Sequence, residues 1–112
     1  MIIVSSRVLV KVFTMNFARA ITIFPFILLS DQRLKEDKIL VNHEMIHIRQ
    51  QLELLVLPFY LWYLIEFFIR YLKTGSRFQA YVNISFEKEA YANENNLNYN
   101  NGKKFWSFLK YI

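Results

Sequence analysis

The sequence has no cysteine, which excludes a disulfide framework, a thiolate metal site and a cysteine nucleophile, and leaves the redox compartment open. Two glycines and two prolines are too few for the turn-rich punctuation of a β-sandwich or barrel. Basic runs are also missing. The fourteen Lys and Arg are scattered from Arg7 to Lys110, with nothing longer than Lys103-Lys104, so the net charge of +5 does not point to a nucleic-acid partner. It fits mild attraction to an anionic surface. A secretory signal is not expected, because Arg7, Lys11 and Arg19 interrupt the apolar first thirty residues and no small-residue cleavage site follows. A long uncharged span is absent too. Within 54–72, Glu66 and Arg70 leave only the twelve residues from Leu54 to Ile65 uncharged, short of the roughly twenty that cross a bilayer. These two charges stand four apart, the spacing of a helical ion pair. The expectation is a cytoplasmic protein, with peripheral contact to the inner face of the membrane through 54–72, where Tyr60, Trp62, Tyr63 and Tyr71 are candidate interfacial residues.

What is abundant is apolar and aromatic material, 54% and 18% of residues, which excludes intrinsic disorder. The 112 residues suit one domain, 1–112, with neither an internal repeat nor a dividing linker. Val8–Phe13 and Ala20–Leu29 have the composition of strands, Pro25 placing the second at an edge. Asp37 caps a helix expected from Lys38 to about Leu57, with Val41, Met45, Ile48, Leu52 and Leu55 as its apolar stripe. Pro58 kinks it or opens a second helix ending at Thr74-Gly75-Ser76. A third is expected over Ser85–Leu97, capped by Ser85 or Asn83, and a terminal one with Phe105, Phe108 and Leu109 on its apolar face. The fold class is therefore α+β, mostly helical, with a small N-terminal sheet or hairpin.

The chain's only two histidines are His43 and His47, in His43-Glu44-Met45-Ile46-His47. Four residues apart on a helix, the two imidazoles share a face and reach one metal ion. Glu44 lies beside that face, where a carboxylate takes a proton from an activated water. A catalytic zinc needs a third protein ligand. Residues 85–94 read Ser-Phe-Glu-Lys-Glu-Ala-Tyr-Ala-Asn-Glu.

Together these two patches resemble the gluzincin type of zinc metallopeptidase, which carries His-Glu-x-x-His on one helix and a Glu ligand on a later one. The small size is similar to the compact minigluzincins, and the hydrophobic segment after the motif to the metallopeptidases of the bacterial beta-lactam sensors. The resemblance implies a zincin-like pair of site helices, a Zn2+ ion held by His43, His47 and Glu89, and Glu44 as general base. Asn93, standing where the family has Asp, would orient a ligand histidine. Glu87 and Glu94 compete for the third position, and Glu87 would face the metal on a rotated helix. Glu89 is preferred because Ala90 and Asn93 stand at matching offsets, and Glu87, Lys88 and Glu94 are read as a solvated face. The implied substrate is a peptide or protein, paired in extended form with the strand before the motif helix or, if that edge is covered, held otherwise. Tyr81, Tyr91 and Tyr99 are candidates to stabilise an oxyanion.

Two other functions fit the same residues: a zinc site that serves as a structural staple or sensor, and a metal-free helical module that binds a membrane or partner through 54–72. Heavy use of Asn, Lys, Ile, Phe and Tyr is what an AT-rich bacterial genome encodes.

Overall fold

In the computed structural model, which describes residues 2–14 and 19–112, strand β1 (Ile2–Ser5) passes directly into helix α1 (Arg7–Thr14). The run Val8–Phe13, expected as a strand, is thus helical. Ser6 decides this locally: its hydroxyl accepts a hydrogen bond from Leu9 N at 3.2 Å, as a helix N-cap does, and overrides the strand preference of the valines. Val10 packs inward from α1.

The run Ala20–Leu29 forms two strands, β2 (Ala20–Ile23) and β3 (Phe26–Leu29), joined through Phe24 and a cis Pro25. Pro25 therefore occupies the turn and does not make an edge of the second half. β3 is the central strand of a sheet ordered β1-β3-β2, parallel to β1 (Ile3↔Ile27) and antiparallel to β2 (Ile21↔Leu28). The edge is β2. Ala20, Ile27 and Leu29 form a first core with Ile48, flanked by Ile3, Leu34, Leu40 and Met45.

Asp37 caps helix α2 (Lys38–Glu53) as expected, its carboxylate accepting from Leu40 N at 3.1 Å. The helix ends four residues before the expected Leu57, because Leu55 and Val56 both take positive φ. A Leu57 N to Leu55 O bond of 2.7 Å closes a γ-turn around Val56, and helix α3 (Leu57–Thr74) leaves at 113° to α2. Pro58 lies in the first turn of α3, where its missing N–H costs nothing, and Gly75 closes the helix in the left-handed conformation. A short helix α4 (Arg77–Val82) follows, unanticipated, with Ser76 as its cap.

Helix α5 (Ser85–Asn93) is capped from outside. Glu66 of α3 accepts from Ser85 N at 3.0 Å and from the Ser85 hydroxyl, and Trp62 Nε1 donates to the same carboxylate at 2.9 Å. Glu66 thus turns into the protein, away from the expected pairing with Arg70. The C-terminal segment forms helix α6 (Tyr99–Gly102) and a 3-10 turn, Ser107–Tyr111. From that turn only Phe108 enters the second core, with Phe59, Ile84 and Phe86, whereas Phe105 and Leu109 stay exposed. The architecture is mostly helical α+β with one small three-stranded sheet.

Candidate metal centre

α2 buries its polar side. His43, Glu44, His47, Gln50, Gln51 and Glu53 are all at least nine-tenths buried, whereas Leu52, on the expected apolar stripe, is 50% exposed. Met45 and Ile48 of that stripe do pack on the sheet, but the histidine face lies deeper. Burying this many polar groups is costly unless each finds a partner, and the partners define the site.

His43 Nε2 and His47 Nε2 lie 3.2 Å apart, and Glu87 Oε1 is 3.2 Å from the first and 3.1 Å from the second. The opposite ring nitrogens are engaged. His43 Nδ1 contacts Glu94 Oε2 at 2.8 Å, and His47 Nδ1 contacts Gln50 Oε1 at 2.7 Å. Gln50 is held in register because its amide nitrogen donates to Phe86 O at 3.1 Å and Glu89 Oε1 at 2.8 Å. Both outer partners are therefore acceptors, so each Nδ1 carries the hydrogen and each Nε2 directs a lone pair inward.

Two nitrogen lone pairs and a carboxylate oxygen thus converge at hydrogen-bond distance, an arrangement that suits a cation between them. The donor set suits a metal: tetrahedral zinc bonds of about 2.0–2.1 Å place ligand atoms roughly 3.3 Å apart, close to the separations found. These three residues form a buried group able to hold a metal ion. Without metal a proton serves. Burial opposes a charge on His47, but Glu87 and, more weakly, Glu44 outweigh it and raise its pKa to about 9. Burial likewise works against the Glu87 charge, yet the two histidines, His47 foremost, hold its carboxyl far below the usual range. The second Glu87 oxygen accepts from Tyr63 OH at 2.7 Å.

The carboxylate that joins the two histidines is therefore that of Glu87, where the resemblance assigned Glu89. The two positions differ by two residues, about 200° around a helix, so no rotation of α5 aims both at one point. Glu87, Tyr91 and Glu94 share the face toward His43, with the Tyr91 ring 4.4 Å from the imidazole. Glu89, fully buried, points to the other side, where it meets Gln50, Tyr99 OH at 2.6 Å, the Ser107 hydroxyl and, at 3.7 Å, Lys103 Nζ. Asn93 lies on that side also, donating to Glu89 O and Tyr111 OH, so the role of orienting His43 belongs to Glu94. Neither Glu87 nor Glu94 sits on a solvated face. Their seven-residue spacing, two helical turns, was the available signal. The family's offsets pointed away from it.

No family model matches the chain. Neither a curated protein nor a solved structure matches it either. The site rests on its own geometry.

Glu44 accepts from the Thr22 hydroxyl of β2 and lines, with His43, Glu94, Tyr81 and Tyr91, a cleft of about 160 Å³. The Tyr81 and Tyr91 hydroxyls are 3.1 Å apart, and burial, then the Glu87 carboxylate, raise the pKa of Tyr81. Tyr99 is absent from the cleft, being bound to Glu89. Beyond Tyr91 an open, apolar groove of about 510 Å³ runs between Phe78, Val82 and Tyr111. The outer edge of β2 is closed at Thr22 and Phe24: Gln51 donates to Thr22 O at 3.1 Å and accepts from Phe24 N at 2.9 Å, and Tyr60 OH reaches Thr22 O at 3.3 Å. At these two residues the edge of β2 is thus occupied by side chains of the protein itself.

Proposed function

We propose that the chain is a zinc-dependent hydrolase of peptide bonds, with His43, His47 and Glu87 as ligands and Glu44 as general base. The observation that carries this reading is the convergence of three acceptors on one point beside a second carboxylate, that of Glu44, which faces a cleft. Bound zinc supplies Lewis acidity, bringing the pKa of a water towards 7 from 15.7 and polarising a carbonyl. The chain supplies the rest. Glu94 and Gln50 hold the two imidazoles in the tautomer that presents Nε2, and a carboxylate on His43 makes it the more basic ligand. Tyr63 fixes the Glu87 carboxylate through its non-ligating oxygen. Thr22 holds one oxygen of Glu44, leaving the other to take the proton of an attacking water and return it to the departing amine. Tyr81 and Tyr91, both with O–H groups in the cleft wall, would donate to the oxyanion. An apolar side chain of the substrate fits the groove past Tyr91.

The depth of the site favours one other reading. His43, His47 and Glu87 are no more than 5% exposed and the cleft is small, as suits a metal that staples α2 to α5. Glu44→Gln separates the two. Under the hydrolase reading it keeps zinc and loses cleavage of a peptide library that the wild type cuts. A wild type that holds zinc and cuts nothing, or a Glu44→Gln protein as active as wild type, overturns the hydrolase reading.

A further inference from the structure

The outer face of α3 carries an apolar stripe that nothing among the described residues covers. Leu57, Leu61, Leu64, Phe68 and Leu72 are 77%, 63%, 64%, 61% and 69% exposed, at steps of four, three, four and four residues. Ile65 and Ile69 widen it on one side, so the apolar face spans well over 100° of the helix and carries no charge before Lys73. The polar groups of the helix turn the other way: Glu66 to Ser85 and Trp62, Tyr63 to Glu87. Leu52 and Leu55, 50% and 80% exposed at the bend before α3, extend the same apolar character to the corner.

Charge at the surface is one-sided. Five of the nine acidic residues, Glu44, Glu53, Glu66, Glu87 and Glu89, are buried. Among the fourteen basic residues only Lys103 is buried, so the exterior is far more cationic than a net +5 conveys. Lys73 and Arg77 stand exposed at the C-terminal end of the stripe. Lys104 and Lys110 flank Phe108, which packs on Trp62 of α3 with ring centroids 5.1 Å apart, and between them Phe105 and Trp106 are 64% and 46% exposed.

From this we infer that α3 lies in the plane of an anionic lipid bilayer, its outer face in the acyl boundary and Lys73 and Arg77 among the headgroups. Spanning is not implied: among the described residues no single helix is long and apolar enough to cross a membrane. A second copy of the chain is the poorer occupant. A helix–helix seam is narrow and is bordered by charges that set register, whereas here the flanks are apolar as well. An apolar face joined to a cationic rim matches an anionic membrane surface. The inference stands on α3 and the surface charge, and does not depend on the metal. It corrects the interfacial set expected from sequence: Tyr60 and Tyr63 face inward, and the leucines and Phe68 take their place.

The experiment is flotation of the untagged full chain with vesicles of phosphatidylcholine alone or doped with phosphatidylglycerol, at low and high salt, with light scattering for oligomeric state. Binding is expected only with phosphatidylglycerol, to weaken with salt, and to fall about fivefold for each of Lys73→Ala and Arg77→Ala. Leu64→Asp with Phe68→Asp should abolish binding while circular dichroism stays that of wild type. Absence of binding by the folded wild type overturns the inference, as does equal binding to uncharged vesicles. So does a stable dimer that the double aspartate variant converts to monomer, since the face would then meet a second copy.

Discussion

Helices α2 and α3 are neighbours in sequence and break the usual partition of residues in opposite directions. α2 carries His43, Glu44, His47, Gln50 and Glu53 inside the protein; α3 carries Leu57, Leu61, Leu64, Phe68 and Leu72 outside it. A buried polar residue is the informative exception to a core, and an exposed apolar patch the informative exception to a surface. Each exception points to something beyond the chain. In α2 the polar groups find partners on β2, α5 and the C-terminal segment, and at the point where three acceptors meet a cation fits. On the outer face of α3 the apolar groups stay exposed, and the face calls for an apolar partner. The buried face of α3 joins the two regions, because Tyr63 reaches Glu87 from the helix that carries the apolar stripe.

The comparison breaks most visibly where a buried charge loses its partner. Lys103 Nζ, fully enclosed, bonds both oxygens of Glu53 at 2.7 and 2.9 Å, and Trp106 N donates to Glu53 at 3.1 Å. Glu53→Ala leaves the ammonium with only Glu89 at 3.7 Å. Thermal or urea unfolding should show a loss of about 3–5 kcal/mol, the scale for an uncompensated buried charge.

Next come the groups that orient the histidines. Gln50→Leu removes the acceptor of His47 Nδ1 and the link to Glu89, and Glu94→Gln weakens the hold on His43 Nδ1. Each should weaken zinc binding about 10–100-fold in a chelator competition, and Asn93→Ala should not. A weaker zinc site in Asn93→Ala with none in Glu94→Gln would restore the pairing expected from the family.

The pH dependence has a fixed sign. In the metal-free protein the His47 pKa is raised from 6.5 to about 9, so the ion pair with Glu87 contributes in full below pH 6.5 and is lost as pH rises through 9. Melting temperatures of the metal-free protein should therefore fall across that window, and Glu87→Gln should flatten the fall. Zinc displaces the same proton, so zinc affinity should rise with pH over the same range.

The smallest effect belongs to α3. Leu64→Ser on its outer face should change stability by no more than about 0.5 kcal/mol, as befits an exposed site. Phe59→Ala on its inner face should cost about 3–5 kcal/mol. Equal losses at the two positions would mean that the outer face is packed after all.

Much of this was legible in the residues. His43, Glu44 and His47 stand together by spacing alone, Asp37 and Gly75 mark helix ends by their chemistry, and Pro58 opens α3 as a first-turn proline does. What could not be read was rotation. Glu87 and Glu89 sit on one short helix, and which of them faces the histidines depends on Glu66 capping α5 from α3 and on Lys103 arriving from fifty residues beyond Glu53 to meet Glu89 and Glu53. These are contacts between distant segments with no local signature. The same holds for α1, where one serine outweighs a run of valines, and for the burial of α2, whose polar face becomes the inner one because its partners are supplied by α5 and the C-terminal segment.

The proposed site has His43, His47 and Glu87 as the holders of one metal ion, with Glu89 outside it. The direct measurement is zinc per chain by mass spectrometry on untagged protein, for wild type, Glu87→Ala and Glu89→Gln. About one zinc is expected in wild type and in Glu89→Gln, and none in Glu87→Ala. Zinc that survives in Glu87→Ala and is lost in Glu89→Gln would contradict it, as would a wild type that takes up none.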